Sequence, residues 1–186
     1  MKTLFTFLIS IISLSMIAQE EGRKYYFKEI GWSIVLPSDF QIVDNKTAKE
    51  TSLKGSKSDP SGLKILVSAG KSSGEMFQAA IARYNAREND FKKIIQKVKD
   101  SNYVTFLKTI PGAKLDSNSS VKTIDGVLFD RFEIKIRING KIINYFLLSK
   151  LYKRANLGIT YVYATDLTKQ ELETMLNESK FDKWEN

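Results

Sequence analysis

The sequence predicts an α+β fold in which helices cover both faces of an antiparallel β-sheet. Two tight-turn signals, Asp125-Gly126 and Asn139-Gly140, divide the C-terminal half into the strands of a meander. Strand and helix patterns alternate in groups along the chain, and their hairpin-type connections favour antiparallel pairing. One of these strands, Ile142–Leu148, has apolar residues on both faces, which indicates a central strand with a layer on each side.

Residues 1–18 are typical of a secretory signal peptide. Lys2 precedes an apolar run, Leu4–Ile17, that has no charged residue, and Ala18 stands before Gln19. This run is too short for a helix that spans a bilayer, which needs about 20 residues. We therefore expect cleavage between Ala18 and Gln19 and no membrane span afterwards. A buried N-terminal helix is the alternative, although such a helix normally has a polar face.

Length and charge bound the remainder of the chain, residues 19–186. We expect one domain there, large enough to bury a hydrophobic core. The sequence has 29 basic and 21 acidic residues, a net charge of +8, which favours anionic partners. Lysine outnumbers arginine 23 to 6, which argues against a nucleic-acid partner because arginine is favoured there. Solubility alone is the alternative explanation of the charge.

Cysteine and histidine are both absent from the sequence. The fold therefore has no disulfide, and no lipid-modified cysteine follows the apolar run. The absence also removes the usual zinc sites, thiol chemistry and every histidine-based triad or general base. We expect no metal, no cofactor and no catalytic residue. An enzyme that uses carboxylate, lysine or tyrosine chemistry remains an alternative.

The first half of the chain alternates short strands with polar connections. The predicted strands are Tyr25–Phe27, Trp32–Leu36, Leu63–Val67 and Met76–Tyr84. Pro37 closes the second strand because proline cannot donate a ladder hydrogen bond. Between the second and third strands, Asp44-Asn45 is predicted to cap a short polar helix, since its side-chain oxygens can accept from exposed backbone N–H groups.

Two further helices are predicted from apolar spacing and capping signals. The first begins at Glu88 and runs to Ile110, with a possible break near Ser101-Asn102. Its apolar stripe at positions i, i+3, i+4 and i+7 consists of Phe91, Ile94, Ile95 and Val98. The last helix is predicted to open with a capping box at Thr168-x-x-Glu171. Asp116–Ser120 is predicted to be a polar loop that leads into a strand.

The Asn139-Gly140 turn also predicts which residues of the hairpin face each other. With two residues in the turn, Ile138 lies opposite Lys141 and Phe132 lies opposite Leu147, so that one face is almost wholly apolar. The other face carries Arg131, Lys135 and Arg137 beside aromatic residues. We predict that these three cations form a surface for an anionic protein or envelope component. The alternative is that their stems cover apolar surface beneath a helix.

The layout resembles the PsbP-like (Mog/PsbP-type) fold, an α-β-α sandwich. The resemblance is carried by Gly31–Phe40, Ile124–Phe129, the strand Ile159–Tyr163 and the helix that ends at Glu178–Phe181. The chain is similar in particular to small exported proteins of Bacteroidota with an Ala-Gln cleavage site. Members of this fold usually act as binding or assembly factors, and the resemblance implies such a role without implying any site residue.

Gly70-Lys71-Ser72 follows a predicted strand and is similar to the end of a phosphate-binding loop. That loop requires a glycine five positions before Gly70, where this sequence has Ile65. We therefore expect no nucleotide site here. The sequence as a whole predicts an exported, soluble binding or assembly factor of the cell envelope, in the periplasm or outside the cell. A carrier of a small amphipathic or aromatic ligand is the alternative.

Overall fold

A computed structural model of the chain describes residues 22–53, 62–83, 88–152 and 155–182. The strands in these ranges are β1 (Arg23–Phe27), β2 (Trp32–Leu36), β3 (Gln41–Ile42), β4 (Lys64–Gly70), β5 (Met76–Arg83), β6 (Lys114–Ile124), β7 (Val127–Ile138), β8 (Lys141–Tyr152), β9 (Ala155–Tyr163) and β10 (Lys180–Phe181). The helices are α1 (Asn45–Leu53), α2 (Glu88–Thr109) and α3 (Asp166–Glu178). The predicted signal peptide, with its cleavage site at Ala18-Gln19, lies outside the described residues.

The strands form two antiparallel sheets. The large sheet has seven strands in the order β3-β4-β5-β9-β8-β7-β6, and the small sheet has the order β1-β2-β10. Every pairing within both sheets is antiparallel. The α+β class and the antiparallel sheet predicted from the turn signals are therefore confirmed.

The large sheet is covered on both faces, as predicted from the apolar residues on both faces of Ile142–Leu148. On one face α2 packs over a cluster that includes Ile134 and Ile136, both buried. On the other face α3 and the small sheet enclose the larger cluster, in which Trp32 and Leu172 are completely buried. Burial of apolar surface stabilises a fold by about 25 cal/mol for each Å² removed from water. The two covering layers therefore stabilise the same sheet from opposite sides.

The β7–β8 hairpin has the predicted register. Phe132 pairs with Leu147 and Ile138 pairs with Lys141. Asn139 and Gly140 have φ angles of 49° and 74°, which a two-residue turn of the primed type requires. Asparagine and glycine adopt this left-handed region at low cost, so the turn residues determine the pairing of the whole hairpin.

Helix α2 is one uninterrupted helix, so the predicted break near Ser101-Asn102 is wrong. The side-chain amide of Asn102 donates to the hydroxyl of Tyr145 at 2.9 Å. A residue of low helix propensity is therefore retained because its side chain bonds to the sheet beneath it. The ring of Phe106, one turn further on, packs edge-on against Tyr145 at 5.0 Å between centroids.

The N-cap of helix α3 lies three residues before Thr168, where the capping box Thr168-x-x-Glu171 was predicted to begin. The N-cap is Thr165, which has extended backbone and whose hydroxyl accepts from the N–H of Thr168 at 3.2 Å. Thr168 is therefore inside the first turn and is buried. By contrast, the predicted cap of α1 is confirmed, because a carboxylate oxygen of Asp44 accepts from the N–H of Thr47 at 3.0 Å.

Strand β6 covers the segment Asp116–Ser120 that was predicted to be a loop. Its pairing with β7 is unbroken from Lys114 opposite Arg137 to Ile124 opposite Val127. The prediction failed because the side chains of this strand are exposed on both faces over most of its length. Without a buried face, the sequence shows no alternation of apolar and polar residues.

Candidate partner-binding surface

Arg131, Lys135 and Arg137 lie on one face of β7, because alternate residues of a strand point to the same side. Phe129 is in the same row and belongs to the cluster beneath α3. Phe132 is in the opposite row and belongs to the cluster beneath α2. The three cations therefore continue the α3-facing row towards the Asn139-Gly140 turn, and of the three Arg131 and Lys135 are half-buried whereas Arg137 is exposed.

Arg131 packs against an aromatic ring of the sheet. Its side chain is 28% exposed, and its guanidinium carbon lies 4.7 Å from the centre of the Phe146 ring. The carboxylate of Glu133 is 3.5 Å away, and the buried Nε has no hydrogen-bond partner among the described residues. These contacts direct the charge towards the sheet, as the alternative of a packed stem predicted.

Arg131 also lies among ionisable groups beneath α3. Burial and, to a smaller extent, the carboxylates of Glu133 and Glu173 raise the pKa of Tyr163 to about 12, while Arg131 opposes them. Burial and Glu173 also raise the pKa of Tyr161, whose hydroxyl is 3.4 Å from that carboxylate. Arg131 thus offsets buried negative charge between the sheet and α3. We assign it to the interior of the fold.

Lys135 and Arg137 lie nearer the Asn139-Gly140 turn than Arg131 does. Arg137 forms an ion pair with Asp116 of β6, and the two side chains are 46% and 65% exposed. Lys135 is directly opposite Asp116 in the β6–β7 register, and it forms no ion pair with any described residue. One carboxylate therefore faces two cations here, and the positive charge is not balanced locally.

An open groove of about 340 Å³ lies at the turn end of this hairpin. Three of its lining residues are cations from neighbouring strands, Lys114, Arg137 and Lys141. Lys135 lies beside them on β7, two residues before Arg137 and on the same face of the strand. We call these four residues the basic tip. Cations that converge on a groove attract carboxylates, phosphates and other anions more strongly than dispersed ones do, because their potentials add.

Two residues of the basic tip, Lys114 and Lys141, were not among the predicted site residues. Lys141 could have been found from the hairpin register, since it follows the Asn139-Gly140 turn directly. Lys114 pairs with Arg137 across the β6–β7 ladder. It could not have been found, because the segment after it was predicted to be a loop and therefore had no strand neighbours.

Lys71, in the segment that is similar to a phosphate-binding loop, is bound to carboxylates instead. Its ammonium lies 2.6 Å from Asp39 and 2.5 Å from Glu171, and 5.0 Å from the centre of the Phe40 ring. Burial would lower the pKa of Lys71, but the hydrogen bonds to Asp39 and Glu171 outweigh it and raise the pKa. The ammonium of Lys71 therefore links α3 to the β2–β3 connection through two ion pairs.

No group of three or more acidic residues in the described part of the chain could hold a metal ion. No described helix combines the length and the apolar content that crossing a bilayer requires.

Comparison with solved structures identifies the architecture. The solution structure of cyanobacterial PsbP (CyanoP) from Synechocystis matches with a TM-score of 0.57 at 12% identity, over 92% of this chain and 99% of that one. The fold is PsbP-like. This match confirms the α-β-α sandwich that the resemblance implied, and at this identity it establishes the fold alone.

Two other solved structures match the chain with lower TM-scores. A protein from Bacteroides thetaiotaomicron matches with a TM-score of 0.49 at 13% identity, over 88% of this chain and 50% of that one. LpqN of Mycobacterium tuberculosis, described as involved in cell envelope biogenesis, matches with a TM-score of 0.47 at 12% identity, over 88% and 91%. No protein-family model matches the sequence. No curated protein sequence matches it either.

Proposed function

We propose that the protein is an exported, non-enzymatic binding or assembly factor of the cell envelope that holds an anionic partner at the basic tip. The observation that carries the proposal is that Lys114, Arg137 and Lys141 all line one open groove, with Lys135 beside them on β7. Export is supported by the apolar run that ends before Ala18-Gln19. A binding role is supported by the chemistry of the tip, which offers cationic donors and no nucleophile activated by a base.

The partner that fits this surface is a protein or envelope component with clustered carboxylates or phosphates. Lysine ammonium groups attract such anions without requiring a fixed geometry, whereas the guanidinium of Arg137 can form two parallel hydrogen bonds to one carboxylate. Arg137 is already paired with Asp116. A partner carboxylate would therefore share this guanidinium, and the three lysines would supply the excess positive charge.

The test is a triple charge reversal, Lys114→Glu, Lys135→Glu and Lys141→Glu, in the protein captured from the envelope fraction of the producing cells after in-cell crosslinking. Mass spectrometry would identify the partners and confirm Gln19 as the first residue. We expect the recovery of a defined partner to fall at least about tenfold, since each lost contact between exposed charges is worth roughly 0.2–1 kcal/mol and each reversal adds repulsion.

The matched control reverses three exposed lysines on the outer side of α2, Lys92, Lys93 and Lys97. It changes the net charge by the same amount and should leave recovery close to that of the unaltered protein. Equal losses in both variants would show that total charge matters and that the tip is not a site. Undiminished recovery with the altered tip would rule the tip out.

A further inference from the structure

Strand β6 forms one edge of the large sheet and is open along its outer side. Its only strand neighbour in the described part of the chain is β7, and the other edge strand, β3, has two residues. Edge strands are usually protected by short length, proline or a bulge. Strand β6 has eleven residues, contains no proline or glycine, and keeps an unbroken register with β7. Its five central residues, Ser117–Val121, carry no charge.

The backbone groups that face outward can be identified from the turn. A two-residue turn at Asp125-Gly126 closes on a hydrogen-bonded pair, Ile124 and Val127, and such pairs recur at every second residue. The N–H and C=O groups of the odd-numbered residues of β6 therefore point away from β7. In agreement, the carbonyl oxygen of Leu115 lies 3.4 Å from the hydroxyl of Tyr103 on α2.

We propose that the protein forms a two-fold symmetric dimer in which β6 pairs antiparallel with β6 of a second copy, centred on Ser119. Ser119 is the midpoint of the strand, so this register overlaps all eleven residues. It aligns the outward groups of the two chains and allows about ten hydrogen bonds between them. The two large sheets would become one continuous sheet of fourteen strands, twice the seven in each copy.

Charge complementarity selects this register. With the axis at Ser119, Asp116 of each copy lies opposite Lys122 of the other. A shift of two residues in one direction would place Lys114 opposite Lys122, and the reverse shift would place Asp116 opposite Ile124. Opposite charges directly across a strand pair stabilise it and like charges destabilise it. The register with complete overlap is therefore also the one with two complementary charge pairs.

Asp116 and Lys122 already have partners, and the dimer extends those pairs into a network. Within each copy, Arg137 pairs with Asp116, and Lys122 lies 2.5 Å from Glu173 of α3. Across the interface the charges would alternate in sign along Arg137, Asp116, Lys122 and Glu173. Alternating networks stabilise more than isolated exposed pairs do.

The α2-facing side of the same interface offers an apolar contact. Val121 is 64% exposed in one copy, and in this register it lies opposite Ser117 of the other. Ser117 and Val104 line a groove of about 350 Å³ between β6 and α2, and Val104 is 45% exposed. The valine of each copy would therefore cover apolar surface in the groove of the other.

The first test uses a single introduced cysteine, since the chain has none. In Ser119→Cys, the two sulfurs would belong to residues directly opposite each other, with Cα atoms about 5.5 Å apart, within the range of a disulfide. Mild oxidation should convert most of the protein to a covalent dimer. The matched control Ser117→Cys should not crosslink, because its two copies would be about 13 Å apart along the strands. Equal crosslinking of both variants would contradict the register.

The second test measures mass in solution by sedimentation. The unaltered protein should show twice the mass of its chain. Ser119→Pro should shift the mass to that of one chain. It removes an outward N–H without removing a β6–β7 hydrogen bond, whereas Ser119→Ala should remain dimeric.

Circular dichroism would verify that the Ser119→Pro variant is folded. A protein that is monomeric at every concentration, or a dimer unaffected by Ser119→Pro, would overturn the proposal. So would a monomer that loses a foreign partner on Ser119→Pro, since β6 would then pair with another protein. None of these outcomes bears on the basic tip, whose test alters different residues.

Discussion

At the scale of a single residue, Glu75 joins the β4–β5 connection to the start of α3. The side chain is buried, and its carboxylate accepts from the N–H groups of Ala164 and Thr165 at 3.0 and 3.2 Å and from the hydroxyl of Thr168 at 2.8 Å. Burial would raise the pKa of Glu75, but these hydrogen bonds and one from Ser73 lower it to about 2. A distant carboxylate thus caps the helix together with Thr165.

We predict that Glu75→Gln lowers the free energy of unfolding by roughly 3 kcal/mol at neutral pH. The pKa in the folded state, about 2, lies below the ordinary value of 4.5, so the carboxylate stabilises the fold fully above pH 4.5. This contribution is lost as the pH falls towards 2. Urea unfolding at several pH values should therefore show two curves that converge in acid.

The control for Glu75→Gln is Glu178→Gln, which removes an exposed carboxylate at the end of α3. It should change the free energy of unfolding by less than about 0.5 kcal/mol. A Glu75→Gln protein whose deficit stays constant from pH 7 to pH 2 would show that packing, and not charge, is what Glu75 supplies.

At the scale of elements, the β6–β7 turn is tied to β10. Asp125 occupies the left-handed region with a φ of 46°, and its carboxylate accepts from the N–H of Phe181 at 2.8 Å and from the ammonium of Lys180 at 3.0 Å. These two hydrogen bonds lower the pKa of Asp125. They hold Phe181 in place, where its ring stacks on Trp32 at 5.7 Å between centroids.

Separate replacement of Asn139 and Asp125 should distinguish the contribution of the hydrogen bond to β10 from that of the left-handed turn conformation. Asn139→Ala puts alanine into the left-handed region and should cost about 1 kcal/mol of unfolding free energy. Asp125→Ala should cost about 1 kcal/mol more, because it also leaves the N–H of Phe181 without an acceptor. Chemical denaturation measures both. Equal losses would mean that the bond to β10 contributes nothing, and Asp125→Asn should recover most of the difference.

How far the sequence predicted these elements depends on whether each element is stabilised by local or by long-range interactions. The β7–β8 hairpin was predictable residue by residue, because the Asn139-Gly140 turn and one apolar face both act locally. Strand β6 was not, since it is held by backbone bonds to β7 and has no buried face to pattern it. The cap of α3 was misplaced for a related reason. Glu75, about ninety residues away, supports Thr165, and no local signal records a tertiary acceptor.

The candidate site was predictable only in part, for the same physical reason. Alternation alone placed Arg131, Lys135 and Arg137 on one face of β7. It could not show that Arg131 turns inward over Phe146 of the neighbouring strand, because alternation gives the face of a side chain and not the rotamer in which it packs. Lys114 lies in the basic tip because β6 pairs with β7, and the sequence did not predict this pairing.

At the scale of the whole molecule, the two hydrophobic clusters share the strands that separate them. Phe106 packs in the cluster beneath α2, and Trp32 is buried in the cluster on the opposite face. We predict that Phe106→Ala lowers the melting temperature measured by Trp32 fluorescence by about 4–8 °C. In a domain of this size, that shift corresponds to a loss of roughly 2 kcal/mol of unfolding free energy. Cooperative unfolding requires both faces to lose order together.

The measurement uses a Trp184→Phe background, in which Trp32 is the single tryptophan. Fluorescence and far-UV circular dichroism should give the same midpoint, and Leu107→Ala, which trims an exposed side chain of α2, should shift it little. A drop in the dichroism midpoint with no change in fluorescence would show that the two faces melt independently.

The small sheet has a consequence for when the molecule can fold. Trp32 of β2 pairs with Phe181 of β10, which lies 149 positions later in the chain. Contacts of such long separation form slowly, and this one is impossible until residue 181 has been synthesised. Until then the larger core lacks the aromatic ring that covers Trp32. The growing polypeptide therefore cannot complete its larger core until the ribosome has added residue 181.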